Sequence, residues 1–169
     1  MSQRLVLVLL MGTAFFVSCS AALYSESEGQ HRLSLKKHPV TDFYEGWHLG
    51  TQAYTFKEYT FYEAVAKAEA LGLNWIEAYP GQRLSKAHPD TKINHNMPEA
   101  LKRQVKRRLG QSRVKLVNYG VVGLGNDEVK CRQVFEFAKE MGIEIIVSEP
   151  APEAMELVEK LCKEYDIKV

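Results

Sequence analysis

Residues 64–82, AVAKAEALGLNWIEAYPGQ, place a helix, a turn and a strand in direct succession and so decide the fold. The helical part has apolar residues at spacings of three and four, which predicts one buried face. That face consists of Phe61, Ala64, Val65, Ala68 and Leu71. Gly72 predicts the helix end, and the run at 74–79 predicts a strand that ends at Pro80. A helix that leads through a glycine into an apolar strand is typical of a βα repeat.

The same alternation extends in both directions from this stretch. Further strands are predicted at 47–54, 114–119 and 143–148, and residues 166–169 look like the beginning of a fifth strand. Further helices are predicted at 98–109, 127–141 and 152–165, with Val129 and Met155 among their core-facing residues. A long polar loop is expected to run to Asn96. The pattern predicts an α/β fold with parallel βα repeats, which form either part of an eight-stranded barrel or an open doubly wound sheet.

Length and charge limit the functional classes. The chain has 169 residues, and a complete (β/α)8 barrel needs about 250. There are 22 Lys and Arg residues against 21 Asp and Glu, and the formal net charge is +1. If a leader that contains Arg4 and no acidic residue is removed, the numbers of basic and acidic residues become equal. Bulk charge therefore gives no indication of a nucleic-acid partner.

Residues 1–22 have the three parts of a secretory signal peptide. A basic residue is followed by an apolar run at 5–17, which is shorter than the ~20 residues of a membrane-spanning helix, and then by small residues. The leader predicts export to the periplasm or the extracellular space. The surroundings of Cys19 resemble a bacterial lipoprotein signal, which would anchor the protein to a membrane. Cleavage after Ser20 or Ala22, with loss of this cysteine, is the alternative.

Residues 23–45 are rich in Ser, His, Lys and Glu, and they are expected to form a flexible tether. The body of the protein then runs from 46 to 169. Its two cysteines, Cys131 and Cys162, lie in predicted helices without a Cys-x-x-Cys spacing. Free thiols are therefore expected in preference to a disulfide framework or a zinc site.

Polar and aromatic side chains follow the predicted strands, where ligands of βα folds gather. The candidate substrate-binding residues are Gln52, Tyr54, Tyr79, Gln82 and Asn118, and the candidate catalytic residues are Glu77 and Glu149. Amides and carboxylates match sugar hydroxyl groups, and a tyrosine ring can cover the apolar face of a sugar. Two carboxylates also suit proton transfer next to a carbonyl. The alternative for each glutamate is that it caps a helix or binds loop amides.

Three histidines are weaker candidates for functional residues. His48 begins the first predicted strand, at the end of a βα fold that contributes stability, and we expect a structural role. His88 and His95 lie in the predicted polar loop after the second strand. We expect both to be exposed, with a lid or substrate contact over the active face as the alternative.

The segments LGTQAYTF, AVAKAEALGLNWIEAYPGQ, VKLVNYGVV and MGIEIIVSEP occur in an order that resembles the N-terminal half of the sugar phosphate isomerase/epimerase family. The resemblance covers about residues 46–169 and is most specific in the motif that enters the second strand. It implies a xylose isomerase-like TIM barrel, present here as a half-barrel of about four βα units. It also implies isomerisation or epimerisation of a sugar, in which a carboxylate moves a proton between carbons next to a carbonyl.

The resemblance further implies a divalent metal ion (Mn, Mg, Zn or Co) in the complete fold. In the family this ion is usually held by two glutamates, an aspartate and a histidine of the second half, beginning near the fifth strand. No ligand position is therefore identified in this sequence, and we expect this chain alone to lack turnover and not to retain the metal. The substrate-facing positions that carry over are Gln52, Tyr54, Glu77, Gln82, Asn118 and Glu149.

Two functional hypotheses follow. In the first, an exported isomerase- or epimerase-like half-barrel binds a small sugar and is completed by a missing C-terminal half or by a second copy. In the second, an exported βα module without enzymatic activity binds a glycan or a protein at its strand ends. A stable monomer that unfolds cooperatively would favour the second hypothesis, whereas aggregation or an obligate dimer would favour the first.

Overall fold

The computed structural model describes residues 47–169, so the predicted leader and tether lie outside the described residues. The strands are β1 Gly50–Gln52, β2 Trp75–Ala78, β3 Arg83–Ser85, β4 His88–Lys92, β5 Lys115–Gly120 and β6 Ile145–Val147. The helices are α1 Phe61–Ala70, α2 Glu99–Gly110, α3 Glu128–Met141 and α4 Met155–Tyr165. Short 3-10 turns at Ala53–Phe56 and Pro152–Ala154 follow β1 and precede α4. Within 47–169, none of the helices has the length and apolarity needed to cross a bilayer.

The main sheet has four parallel strands in the order β1-β2-β5-β6. This confirms the α/β class and the parallel βα repeats. The order of the parallel strands in the sheet is their order along the chain, because β3 and β4 pair only with each other in an antiparallel hairpin. Lys168 makes one parallel bridge to Ile145 beyond β6, where the start of a fifth strand is predicted.

The two faces of this sheet differ. Ile76 and Ala78 of β2 are fully buried in one core, whereas Trp75 and Glu77, which alternate with them, are only partly buried. Helix and strand side chains share that core. Its members include Phe61, Val65, Leu116, Tyr119, Phe135, Phe137, Ile146 and Leu161. We call this side the helix-covered face. The other side, which bears Gln52, Trp75, Glu77, Asn118 and Ile145, is the open face.

Local signals explain where the helices begin and end. Thr60 caps α1 in a capping box, because its hydroxyl accepts from the Glu63 backbone N–H while the Glu63 carboxylate accepts from the Thr60 N–H. The hydrogen bonds from the Thr60 backbone and hydroxyl lower the pKa of Glu63 to about 2. Asp127 caps α3, and Gly142 ends that helix in the left-handed conformation with φ 72°.

Two predicted segments differ from the structure. The first predicted strand, 47–54, is shortened to the three residues of β1, because the chain turns into a 3-10 helix at Ala53. The polar loop expected to reach Asn96 contains the β3–β4 hairpin. This hairpin is short and includes Pro89, so it lacks the apolar alternation by which strands are identified.

Three residues predicted on buried helix faces are exposed. Leu71, Val129 and Met155 retain 67%, 68% and 51% of their accessible surface. Leu71 and Met155 lie at helix ends, and Val129 lies in the first turn of α3, where the neighbouring turn of the helix is missing. The central positions of the same helices are buried as predicted, including Val65, Val134 and Leu161.

Both cysteines of the described residues are free thiols, as predicted. Cys131 is buried in α3, and its thiol donates a hydrogen bond to the Gly125 carbonyl oxygen at 3.1 Å. Burial raises the pKa of Cys131 and of the half-buried Cys162.

Candidate functional site

Three of the predicted site residues form one hydrogen-bonded row on the open face. Gln52, Glu77 and Asn118 are paired in register on the neighbouring strands β1, β2 and β5. Gln52 Nε2 donates to Glu77 Oε1 at 2.8 Å, and Asn118 Nδ2 donates to Glu77 Oε2 at 3.4 Å. Two amides from the flanking strands thus orient one carboxylate between them. We call these residues the amide–carboxylate row.

A cavity of about 420 Å³ lies along this row on the open face. The row supplies its polar side, and the aliphatic side chains of Val117 and Ile145 supply an apolar side. Towards the amino ends of the strands it is bounded by Trp75, whose ring is stacked on His48 with centroids 4.2 Å apart. The cavity therefore combines a carboxylate, amides and a flat aromatic ring, the groups that bind a hydroxyl-rich ligand.

Two tyrosines stand above the row, at the carboxyl ends of β1 and β2. The rings of Tyr54 and Tyr79 meet edge to face, with centroids 5.1 Å apart and planes at 74°. Tyr54 is exposed, and Tyr79 is partly buried. Burial, together with the nearby Tyr54 and Glu58, raises the pKa of Tyr79, so its hydroxyl stays protonated and can donate a hydrogen bond at neutral pH.

Gln82 is not part of the row. Its side chain retains 1% of its accessible surface, and Nε2 donates to the carbonyl oxygens of Phe56 and Tyr59 at 3.4 and 3.2 Å. Through these two hydrogen bonds, Gln82 links the segment between β1 and α1 to the start of the β3–β4 hairpin. Among residues 47–169, its buried Oε1 has no hydrogen-bond partner.

Glu149, the second predicted catalytic carboxylate, is separate from the first. It lies two residues beyond the end of β6 and is exposed, and among the described residues it has no hydrogen bond or ion pair. Ser148 before it is partly buried, and its hydroxyl lacks a partner in the described part of the chain. Of the two predicted catalytic carboxylates, Glu77 is therefore the one that neighbouring side chains orient.

The histidines at 88 and 95 are more enclosed than predicted. His88 Nε2 lies 3.1 Å from Gln104 Oε1, and His95 Nδ1 lies 3.2 Å from the hydroxyl of Tyr119. Both imidazoles are partly buried, which corrects the expectation of exposed loop residues. Burial lowers the pKa of His95 and raises that of Tyr119 to about 12.

The sequence did not lead us to expect Trp75 as a lining residue of the cavity. The signal was present, because side chains alternate along a strand and Trp75 stands two positions before Glu77. The pairing of His95 with Tyr119 had no comparable signal. It joins the segment after β4 to the far side of β5, across 24 residues.

The amide–carboxylate row offers one carboxylate as a metal donor. Among residues 47–169, no three His, Cys, Asp or Glu side chains come together in an arrangement that could hold a metal ion. The described residues therefore do not form the carboxylate and histidine set that the resemblance implies.

A crystal structure at 2.32 Å resolution of an uncharacterized protein from Parabacteroides distasonis ATCC 8503 is similar to this chain, with a TM-score of 0.67 and 27% sequence identity. The match covers 72% of this chain and 50% of that one, so this chain spans about half the length of the Parabacteroides protein. No family model matches the sequence, and no curated protein matches it.

Proposed function

We propose that this chain is the substrate-facing half of a sugar isomerase- or epimerase-like barrel and that it binds a hydroxyl-rich sugar on the open face. The observation that carries the proposal is the amide–carboxylate row, in which Gln52 and Asn118 orient Glu77 beside the cavity. Export through residues 1–22 belongs to the same proposal.

The strand order supports a barrel over a doubly wound sheet. A doubly wound sheet reverses its strand order at the ligand crevice, whereas the parallel strands here follow one another without reversal. Right-handed connections between successive neighbours put all helices on one side, as in a (β/α)8 barrel. The single helix-covered face agrees with this arrangement, and the open face then corresponds to the barrel interior.

The length of the Parabacteroides protein supports the presence of a half-barrel, because this chain matches half of it. Completion by a further polypeptide half is favoured over completion by a second copy. Lys168 already occupies the edge of β6, so an eight-stranded barrel would need three further strands, whereas a second copy would bring at least four.

The chemistry proposed for Glu77 follows from its hydrogen bonds. Each carboxylate oxygen accepts one amide N–H, and a carboxylate has about four acceptor sites. Sugar hydroxyl groups can therefore bind while the amides hold the carboxylate in place. A carboxylate held in this way is suited to take a proton from one carbon of a sugar and return it to the neighbouring carbon. Tyr54 and Tyr79 would cover the sugar ring at the strand ends.

The divalent metal implied by the resemblance is not assigned to residues of this chain. The described donor set does not fit it, and its ligands are proposed to lie in the complementing half. Within the chain, the proposal therefore concerns the binding of hydroxyl groups and the position of the Glu77 carboxylate.

Sugar binding can be measured by titrating the full chain with aldoses, ketoses and their phosphate esters, using the fluorescence of Trp75 beside the cavity. We expect a saturable change. Glu77→Gln should weaken binding about tenfold or more, because hydrogen bonds to a charged group are lost. Glu153→Gln, an exposed acidic residue of the turn before α4, is the control and should bind normally. Equal binding by the Glu77→Gln variant would contradict the proposal.

The cavity also favours a second candidate function, that of a glycan-binding module without turnover. Trp75 extends the cavity beyond the amide–carboxylate row, and a tryptophan beside hydrogen-bonding groups is suited to the apolar face of a sugar unit. A monomeric chain that unfolds cooperatively and binds oligosaccharides more tightly than monosaccharides would favour this function over the half-barrel.

A further inference from the structure

We propose that the amino end of the sheet docks on a membrane surface that contains anionic phospholipids. This inference does not use the amide–carboxylate row, which lies on the open face. The surface concerned has an apolar part and a basic part, and we call it the amino-end surface. It consists of Trp47, Leu49, Leu71, Arg107, Arg113 and Lys115.

The apolar part is formed by three large side chains that remain exposed. Trp47, Leu49 and Leu71 retain 81%, 47% and 67% of their accessible surface. The first two directly precede β1, and Leu71 follows α1 just before β2. Because β1 and β2 begin in register at Gly50 and Trp75, all three side chains belong to the same end of the sheet.

The basic part comes from α2 and the turn after it. Residues 99–115 contain seven Lys and Arg residues and one Glu, although the whole chain has a net charge of only +1. Lys102 and Lys106 are engaged by Glu140. Arg107 and Lys115 are exposed and, among residues 47–169, have no carboxylate within 4.0 Å.

Hydrogen bonds bring the two parts together. The Lys115 N–H donates to the Asn74 carbonyl oxygen at 2.8 Å, and the Arg113 N–H donates to Glu69 Oε1 at 3.1 Å, the oxygen that also lies 3.9 Å from Arg113 Nε. The segment 113–115 therefore lies against the turn that carries Leu71. The result is an exposed leucine beside basic side chains, with a tryptophan and a second leucine at the next strand.

This combination fits a phospholipid surface. Guanidinium and ammonium groups bind lipid phosphates, while Trp and Leu side chains enter the interfacial region. At the β6 side of the same end, Glu144 and Asp166 lie beside Lys139, Lys163 and Lys168. The nearly neutral chain lacks the overall positive charge typical of a nucleic-acid-binding domain.

The described part of the chain begins at Trp47, in the amino-end surface. Tyr54 and Tyr79, at the opposite ends of the strands, would face away from the membrane and stay open to a soluble ligand.

The first test measures sedimentation of the full chain with vesicles of phosphatidylglycerol and phosphatidylcholine, or of phosphatidylcholine alone. We expect tighter binding to the anionic vesicles, weakened by sodium chloride. Arg107→Gln with Lys115→Gln should lower the partition coefficient about 25-fold, since each cation contributes about fivefold. Lys86→Gln with Lys130→Gln removes the same charge at the carboxyl end and should leave partitioning unchanged. Every variant carries the same leader, so their difference reports the domain surface.

The second test asks whether the amino-end surface enters the lipid interface, and it uses the Trp75→Phe variant, in which Trp47 is the remaining tryptophan of the chain. Brominated lipids should quench its fluorescence, and should quench it less once Arg107→Gln and Lys115→Gln are added. Absence of quenching, or equal partitioning of the two double variants, would overturn the proposal. Release by inorganic phosphate at an ionic strength where sodium chloride has no effect would instead indicate a site for a free anion. Tighter binding to duplex RNA than to vesicles would likewise overturn membrane docking.

Discussion

The two faces of the four-stranded sheet differ in burial and polarity, because alternate residues of the same strands lie on opposite faces. On β2, Ile76 and Ala78 are fully buried under the helices, whereas Trp75 and Glu77 line a cavity on the open face. The helix-covered face is apolar and closely packed. The open face carries amides, a carboxylate and an aromatic ring. Neighbouring residues should therefore respond to substitution in different ways, and the following predictions test this division.

The largest effect is expected from Ile76→Ala. Loss of a fully buried isoleucine side chain should lower the free energy of unfolding by about 2–5 kcal/mol. Glu77→Gln, at the adjacent position, should change it by less than about 1 kcal/mol, because its carboxylate is partly exposed. Urea denaturation of both variants measures the comparison. A similar loss of stability in the two would mean that the open face is also part of the folding core.

A smaller effect is expected where β5 and β6 approach each other. A Cβ atom at Gly120 would lie 2.3 Å from the Val147 carbonyl oxygen, so Gly120→Ala must shift one of these strands. We expect a loss of about 1–3 kcal/mol in thermal or urea unfolding. Gly123→Ala is the control, since a Cβ atom there has no neighbour within 4 Å. Unchanged stability of Gly120→Ala would show that the strands separate easily.

The helix-covered side should also respond to pH through His95. Burial lowers the pKa of this imidazole below its ordinary 6.5, so the unfolded chain binds the proton more readily. The contribution of His95 to stability is therefore complete above about pH 6.5 and declines as the pH falls below it. His95→Asn should remove this decline between about pH 6.5 and 5, above the range in which Glu63 titrates. An unchanged pH profile would assign the decline to other groups.

The smallest effect is expected from metal removal. Dialysis of the purified chain against a chelator should leave its unfolding curve unchanged, because the described residues bring no metal-binding group together. The chain alone should also show no ketose–aldose conversion. Stoichiometric metal that survives dialysis, measured by atomic emission, or measurable conversion would contradict the assignment of the metal ligands to a complementing half.

The periodicity of the sequence predicted the helices and strands, and the polar residues at the strand ends predicted three side chains that come together. The helix and strand within 64–82 are present nearly as predicted, and Gln52, Glu77 and Asn118 come together because parallel strands align their carboxyl ends. Strand order was not predictable in this way. A barrel and a doubly wound sheet contain the same local patterns, so the order β1-β2-β5-β6 is known only from the pairing of the strands.

The remaining differences depend on tertiary contacts. Gln82 follows a strand in the sequence, yet its amide is buried under the segment after β1 and holds that segment in place. The β3–β4 hairpin is stabilised by pairing between two short polar strands, which has no apolar signature. Leu71 matches the helical period but is exposed, because the helix ends before a neighbour can cover it.

The buried thiol of Cys131 has a consequence for the chemical lifetime of the chain under oxidising conditions. Thiolate is the form that attacks disulfides and oxidants, and a raised pKa keeps the thiolate population small at neutral pH. The hydrogen bond to the Gly125 carbonyl further occupies the sulfhydryl proton. Cys131 should therefore become available for oxidative cross-linking only when α3 opens. The rate of this cross-linking under oxidising conditions would then report how often the helix opens.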